Sequence, residues 1–472
     1  MLITLSIFFI YLFGLGLVNT AIFPSLFRPL EESGQTLRTK RTSKPSKVMP
    51  SPGEDRPALL YLTYFLMSGM LLDLLIVFLV KDMRVSFVVG SALSLSGFLY
   101  AILKYRKAFL RFFHTGWGAV VLLYLVPLFS FSILFMPLSA WDARSIWFFH
   151  AKMIYYDRGL NFMSLKNPAV SFSHVDYPDI VPLLGAQIAY LAGFWNEFLP
   201  KASLLVMLVP ALLAALSFMG KNIVSFLYLV LMLFFIGGAE MWSGYMDGYL
   251  ALYAAISVLL IGRWLKNRRP LDLLAGAAFL AADMNIKNEG SFFALSAATA
   301  LVVVVLLGRE RYRGIFKLPG RRFYILFISL FMPFLVWSYE KLKWGLNSDM
   351  NIGPSFFYRA INRFREGGAV PKIVRTLVLD AGVGRAAMIF LAVFLAAKLL
   401  RVRSSPPVWL SVLTAFIYLF GLFLIFLGTP QPIAWQLSSA GVRTMLPVLV
   451  FIFCATFFLL GDIEKNANKK FD

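Results

Sequence analysis

The chain has 472 residues, 59% hydrophobic and 15% charged, with 47 phenylalanines and a mean hydropathy of +0.75. Soluble domains are about half apolar and about a quarter charged, so one water-soluble core cannot absorb this surface, and a polytopic membrane protein is expected. The 45 basic against 24 acidic residues (net +21) would point a soluble chain toward nucleic acid. Here they sit in short stretches between apolar runs, as topology signals do, and no nucleic-acid partner is expected.

Apolar runs fall at 2–23, 57–80, 84–103, 116–137, 179–194, 200–219, 222–238, 248–262, 270–286, 290–308, 323–340, 383–400, 408–428 and 445–461. In lipid each must satisfy its own backbone groups, which predicts an all-α fold with about 13–14 membrane segments. The first run lacks a basic leader and a small-residue cleavage site, so it reads as a retained span. Residues 31–56 are polar, basic and Pro/Ser-rich, the composition of a flexible linker. Residues 1–56 thus form an N-terminal span with a basic cytoplasmic linker. Residues 57–472 form the main transmembrane domain, with outer loops at 138–178 and 341–382.

Stretches 28–56, 104–111, 263–269, 309–322, 398–403 and 465–470 hold 7, 4, 4, 6, 3 and 3 basic residues, more than half of the 45. The positive-inside rule puts all six in the cytoplasm, and 138–178, 239–247, 287–289, 341–382 and 429–444 on the opposite face. Three apolar runs between 178 and 239 then conflict with the even number this orientation requires. Either 179–194 is re-entrant or interfacial, or 200–238 crosses once.

Two outer segments are amphipathic. In 139–158, Trp141, Trp147, Phe148, Tyr155 and Tyr156 alternate with Arg144, Lys152 and Arg158; in 355–366, Phe356, Ile361 and Phe364 lie beside Arg359, Arg363 and Arg365. Both read as surface helices against membrane lipids, and basic residues on this face fit an anionic headgroup.

The single cysteine, Cys454, allows no disulfide framework, and His114, His150 and His174 show no metal-ligand spacing. No phosphate-cradling Gly-Lys-Ser/Thr loop and no dinucleotide glycine fingerprint occurs.

The candidate residues are outer-face charges. Asp142 is either the N-cap of the first surface helix or a general base for a hydroxyl. Asp176 and Asp179 precede a helix start, where acids are ordinary, and His174 reads as structural. Asp247, seven residues after Glu240, is an N-cap or a second acid in the same cleft, able to bind a divalent cation (Mg or Mn) or sugar hydroxyls. Asp283 and Lys287 are spaced for a helical ion pair. Alternatively Lys287 holds a phosphate, with Glu289 orienting it or a sugar, since charges beside a span face a cavity or partner. Arg443 either snorkels or grips a phosphate with its guanidinium fork, and Trp435 and Gln436 would suit a sugar-binding wall. Neither a metal ligand set nor a cofactor is assigned.

Five motifs occur in order over about 138–450: W-D-A-x-S-I-W with a following A-K (Trp141 to Lys152), D-Y-P (Asp176 to Pro178), G-Y-x-D (Gly244 to Asp247), K-N-E-G (Lys287 to Gly290) and W-x-x-S-S-x-x-x-R (Trp435 to Arg443). Together they resemble bacterial multi-spanning glycosyltransferases of the GT-C superfamily. The resemblance implies a bacterial inner-membrane enzyme with its site facing the periplasm or exterior. Such an enzyme moves a sugar from a polyprenyl-phosphate donor to a glycan, lipid or protein hydroxyl. It also implies a base in the first large outer loop, by position Asp142, and a lipid-phosphate loop within 341–375. The chain departs from the family in placing about three spans before this acid, and in having a single acid where several branches pair two. The base is therefore open between Asp142 and Asp176. Arg359, Arg363, Arg365, Lys287 and Arg443 are the cations available to a phosphate leaving group. The rival expectations are a transporter or flippase of lipid-linked saccharides, and a non-catalytic membrane scaffold.

Overall fold

A computed structural model of the chain describes residues 2–22, 24, 57–112, 134–135, 137–218, 243–315, 320–346 and 352–468. Most of the 116–137 run, the 222–238 run, the 31–56 linker, His114 and Glu240 lie outside the described residues. Among the described residues the structure is helical, with an isolated bridge between Asp82 and Gly159 and no named strand.

The first three helices are α1 (Leu2–Ile22), α2 (Pro57–Val80) and α3 (Met83–Phe112), packed on one another. Their contacts are close because glycines face backbone. A Cβ at Gly16 would overlap the Phe65 carbonyl, and one at Gly69 the Leu12 carbonyl. Where lipid supplies no hydrophobic drive between helices, such close packing holds them together. A buried polar knot adds to it: Tyr11 donates to Asp73 at 2.6 Å, and Gln187 donates to the same oxygen at 3.1 Å.

After the 143–147 π-helical stretch come α4 (Phe148–Tyr156), α5 (Ile180–Ala192) and α6 (Ala202–Phe218). The central helix α7 (Asp247–Asn267) is buried from Asp247 to Leu265 and packs on α6 and α8 (Pro270–Met284). Helix α9 (Asn288–Leu307) is followed by a bent pair, α10 (Arg321–Ser329) and α11 (Met332–Trp344), broken by 46°. Pro333, which has no amide hydrogen to donate, starts α11 at this break. The amphipathic α12 (Pro354–Glu366) precedes a second bent pair. In it, α13 (Ala369–Val374) runs on as a π-helical stretch to Asp380, and Gly382, at φ 78°, turns the chain by 58° into α14 (Val383–Leu399). Helices α15 (Pro406–Gly428) and α16 (Leu446–Asn468) pack on each other and on α7.

Of the expected 13–14 segments, most of 116–137 and all of 222–238 lie outside the described residues. Among the described residues seven helices are long and apolar enough to cross a membrane, or up to nine if each bent pair is one span. This makes the chain a multi-pass membrane protein.

Two of the basic stretches, 263–269 and 309–322, meet at one end of the bundle, where Arg268 donates to the Arg311 carbonyl. At that end Arg263 pairs with Asp272 at 2.7 Å, and Lys266 lies 4.0 Å from Asp462. At the other end Lys81 pairs with Glu340 at 2.6 Å, and Met83 donates to the Arg158 carbonyl.

Of the three runs in the parity conflict, 222–238 lies outside the described residues, and α5 does not cross. Its first amide donates to Asn285 near the start of α9, its Tyr190 ring stacks on Phe87 just inside α3, and Trp195 beyond it packs on Tyr155 of α4. Both ends of α5 therefore lie at the Lys81–Glu340 end, and its 13 residues give about 20 Å against an apolar thickness of about 30 Å. Helix α6 does run between the ends: Lys201 donates to the Leu134 carbonyl, while Arg263 donates to the Ser217 carbonyl.

The surface-helix expectation divides. In 139–158 the helix runs on through the 143–147 π-helical stretch, and Trp147, Phe148 and Ile154 are buried in protein while Trp141 and Tyr156 are exposed. Helix α12 fits the expectation better, with Phe357, Tyr358, Ile361 and Phe364 exposed, although Phe356 is buried against Gly428.

Candidate functional site

Five of the sequence-singled residues meet at the Lys81–Glu340 end of the bundle. Asp247 lies in the first turn of α7, and Glu289 in the first turn of α9. Lys287 is extended (φ −155°, ψ 154°) in the tight turn between α8 and α9. Arg443 leaves the 437–441 π-helical stretch just before α16, and Asp142 precedes the 143–147 stretch.

Their side chains form a continuous chain of charge. Arg443 Nη1 lies 2.9 Å from Asp142 Oδ2 and 3.5 Å from Asp247 Oδ2, and Lys287 Nζ lies 3.0 Å from Asp247 Oδ1 and 3.3 Å from Glu289 Oε1. The Asp247 and Lys287 side chains are 5% and 9% exposed, so this pair is the floor; Asp142, Arg443 and Glu289, at 21–26%, form the rim. Tyr245 lies under the Arg443 guanidinium, 4.2 Å from ring centre to carbon. Arg443 Nε donates to the Ser439 carbonyl, and Nη2 is engaged in none of these bonds. Burial by itself opposes the charge on Lys287, but the Asp247 and Glu289 carboxylates outweigh it and hold the ammonium well above the ordinary lysine range.

Asp176 joins this group from the side. It is buried, and its Oδ2 accepts from Asn288 Nδ2 at 2.5 Å and from Lys341 Nζ at 3.4 Å. Asn288 stands between Lys287 and Glu289 in the chain, so one helix start serves both acids. Next to Asp176, the Tyr177 ring stacks between His174 (5.0 Å) and Trp147 (5.5 Å) and lies 5.9 Å from Lys287 Nζ. Burial, reinforced by the Glu289 charge, pushes the Tyr177 phenol far up, so it stays protonated at neutral pH.

The loop that carries Asp176 is clasped by a buried histidine. His150 Nδ1 lies 3.0 Å from Asp179 Oδ1, and Nε2 lies 3.0 Å from Ser173 Oγ. Neither Asp179 nor Asp142 makes a side-chain capping bond, so both carboxylates serve tertiary contacts. The expected Asp283–Lys287 pair is corrected as well. Helix α8 ends at Met284, so the extended Lys287 is out of helical register and turns to Asp247 and Glu289. The Asp283 carboxylate is buried with neither oxygen hydrogen-bonded.

The other candidates lie apart from this group. Arg144 is exposed, and Lys152 makes an exposed pair with Glu197 at 3.5 Å. Arg359 donates to the Gly428 carbonyl, and Arg363 to those of Leu427, Thr429 and Gln431. Both arginines satisfy carbonyls that the end of α15 leaves unpaired. Trp435 is exposed in the turn before the 437–441 stretch.

Residues to which sequence reasoning gave no part in the site are Asn288, Tyr177, Tyr245, Lys341, His150 and Asp179. The first three stand inside the K-N-E-G, D-Y-P and G-Y-x-D motifs, so the signal was present in the motifs. Lys341 carries no local signal, because it reaches Asp176 across 165 positions of sequence. Among the described residues, no group of three or more His, Cys, Asp or Glu is arranged to hold a metal ion. The acids Asp142, Asp247 and Glu289 each face Arg443 or Lys287 instead. No protein family, curated protein or solved structure matches this chain.

Proposed function

We propose that this protein is a membrane glycosyltransferase. It moves a sugar from a polyprenyl-phosphate donor to a hydroxyl of a glycan, lipid or protein acceptor, at the extracytoplasmic face of a bacterial inner membrane, with inversion. The observation that carries this reading is the convergence of Asp142, Arg443, Asp247, Lys287 and Glu289 at one end of a membrane bundle, from segments 301 positions apart at the extremes.

The chemistry needs a cation at the breaking bond and a carboxylate at the forming one. The acceptor oxygen attacks the anomeric carbon and the bond from that carbon to the phosphate oxygen breaks. The acceptor proton passes to Asp142, and polyprenyl phosphate departs with the electron pair. Arg443 is the natural partner of that phosphate, because its fork matches phosphate oxygens and Nη2 is not committed to the acids. A phosphate that draws Arg443 away also strips Asp142 of its counter-charge. The carboxylate is then free to take the proton of the hydroxyl. Asp247, held by Lys287, keeps its place and anchors the arginine from behind.

A transporter or flippase of lipid-linked saccharides is the second reading. It is favoured by Asp73 and Asp283, acids buried within the bundle, since intramembrane acids commonly mark pathways. The test is transfer by purified protein in nanodiscs from a panel of radiolabelled polyprenyl-phosphate sugars, comparing wild type with Asp142→Asn. The variant is expected to lose transfer by about 100-fold or more while keeping donor binding, because Arg443 loses a competitor. Equal transfer moves the base to Asp176 or Asp247. Vesicles that translocate the lipid-linked sugar without cleaving it replace this reading with the second.

A further inference from the structure

A cavity of about 220 Å³ opens beside Asp176, between the 165–176 loop and Gly345–Leu346. Ligand pockets for drug-sized molecules are about 300–1,000 Å³, so this one takes a single small unit. Its polar lining is Lys166, Asn167, Ser171, His174 and Asp176, interspersed with Leu165, Pro168, Val175 and Leu346. His174 sits at φ 52°, a left-handed backbone that non-glycine residues adopt at some cost, and so is held where it faces the cavity and Tyr177. Asp176 is 2% exposed, and both of its bonds land on Oδ2; Oδ1 takes neither. Lys341 Nζ lies 3.4 Å from Asp176 Oδ2, so the carboxylate has a cationic partner in the protein and needs none from the ligand. A carboxylate acceptor at the back of a small cleft, with the Lys166 ammonium balancing its charge, amide, hydroxyl and imidazole groups around it and short apolar patches between, suits an uncharged ring rich in hydroxyls.

We propose that this cavity binds one neutral sugar ring, and that it is the acceptor subsite, with Asp176 Oδ1 accepting from a ring hydroxyl. The role as acceptor subsite rests on the glycosyl-transfer reading; the binding of a sugar ring rests on the cavity alone. The position fits the role. Asn288 joins Asp176 to the Lys287–Glu289 corner, and the Trp147–Tyr177–His174 stack forms one continuous wall from that corner to the cavity. The geometry thus divides the two acids that sequence reasoning left as alternatives: Asp142 stands with the donor cations, and Asp176 orients the acceptor.

The chain's single cysteine, Cys454, is buried, so Ser171→Cys introduces a thiol at the cavity rim that a water-soluble maleimide alkylates selectively in the native protein. The probes are methyl glucoside, methyl galactoside, methyl mannoside and methyl N-acetylglucosaminide, with the full chain in nanodiscs. At about 100 mM, at least one glycoside is expected to slow alkylation about 5-fold or more, by mass action on the free site. A Glu464→Cys control at the opposite end of the bundle should not respond. Adding Asp176→Asn to the Ser171→Cys protein should abolish the protection. Ser171→Trp, which fills the rim and leaves the Asn288 and Lys341 bonds intact, should raise the acceptor KM of the transfer reaction with kcat and donor affinity unchanged. Absence of protection by all four glycosides overturns the proposal, as does protection that survives Asp176→Asn. Asp142-dependent transfer without protection keeps the transferase reading and removes this one. Protection without any transfer keeps the sugar site and removes the transferase.

Discussion

Asp247 and Lys287 are 3.0 Å apart with side chains 5% and 9% exposed, and their separation from water sets what breaking them should cost. Lys287→Met keeps the length of the side chain and removes its charge, leaving Asp247 ionised in a place water does not reach. Removing one partner of a buried pair typically costs about 3–5 kcal/mol. Asp247 retains Arg443 at 3.5 Å, a long contact on the same carboxylate, so the low end, about 3 kcal/mol, is expected. Asp247→Asn combined with Lys287→Met removes both charges and should recover much of this loss, with a coupling of about 2 kcal/mol. The assay is unfolding titrated with SDS in mixed micelles, on the four proteins of the cycle. The deficit should also be flat between neutral pH and about pH 9, below the ordinary lysine value of about 10.4. A lysine whose native value is raised contributes fully below its unfolded value, and loses the contribution only as pH climbs through the raised one. A loss below about 1 kcal/mol, the worth of an exposed pair, or an absence of coupling, would refute the placement of this pair at the floor of the site.

Arg363→Ala removes three bonds to the carbonyls of Leu427, Thr429 and Gln431, and should cost about 2 kcal/mol in the same titration, with donor affinity unchanged. A fall in donor affinity of tenfold or more would instead make this arginine a phosphate ligand. Gly290→Ala places a Cβ against the Asp283 carbonyl, a backbone atom that cannot swing aside. It should destabilise by about 1–3 kcal/mol and weaken the Lys287–Glu289 corner, read as lost donor binding. His150→Phe leaves Asp179 buried without its partner, and should cost about 1–3 kcal/mol. Limited proteolysis should then cut within residues 160–179 faster than in the wild type.

Much of this protein follows from composition and local order alone. The lipid-compatible helix is the only way a long apolar run can satisfy its backbone, so the all-helical, multi-pass character is legible without coordinates. The tally of basic residues likewise sorts segments to faces, and the bond from Arg268 to the Arg311 carbonyl joins two stretches that it groups together. The charges worth attention were also visible: Asp142, Asp247, Lys287, Glu289 and Arg443 stand out because charge beside a span is costly unless something repays it.

Tertiary structure alone decided the rest. Hydropathy measures how apolar a segment is, not what surrounds it. A 13-residue helix buried in protein, as α5 is, therefore has the same signature as a piece of a span. Periodicity assigned Asp283 to Lys287, but a helix that ends at Met284 puts the lysine out of register and hands it to Asp247, 40 positions away. Arg359 and Arg363 were legible as cations available to a phosphate, but that the end of α15 would supply carbonyls for them was not. Which acid meets which cation depends on how separate helices are set side by side. That is fixed by close packing between distant segments, as at Gly16 on Phe65 and Gly262 on Pro407, and local sequence carries no record of it.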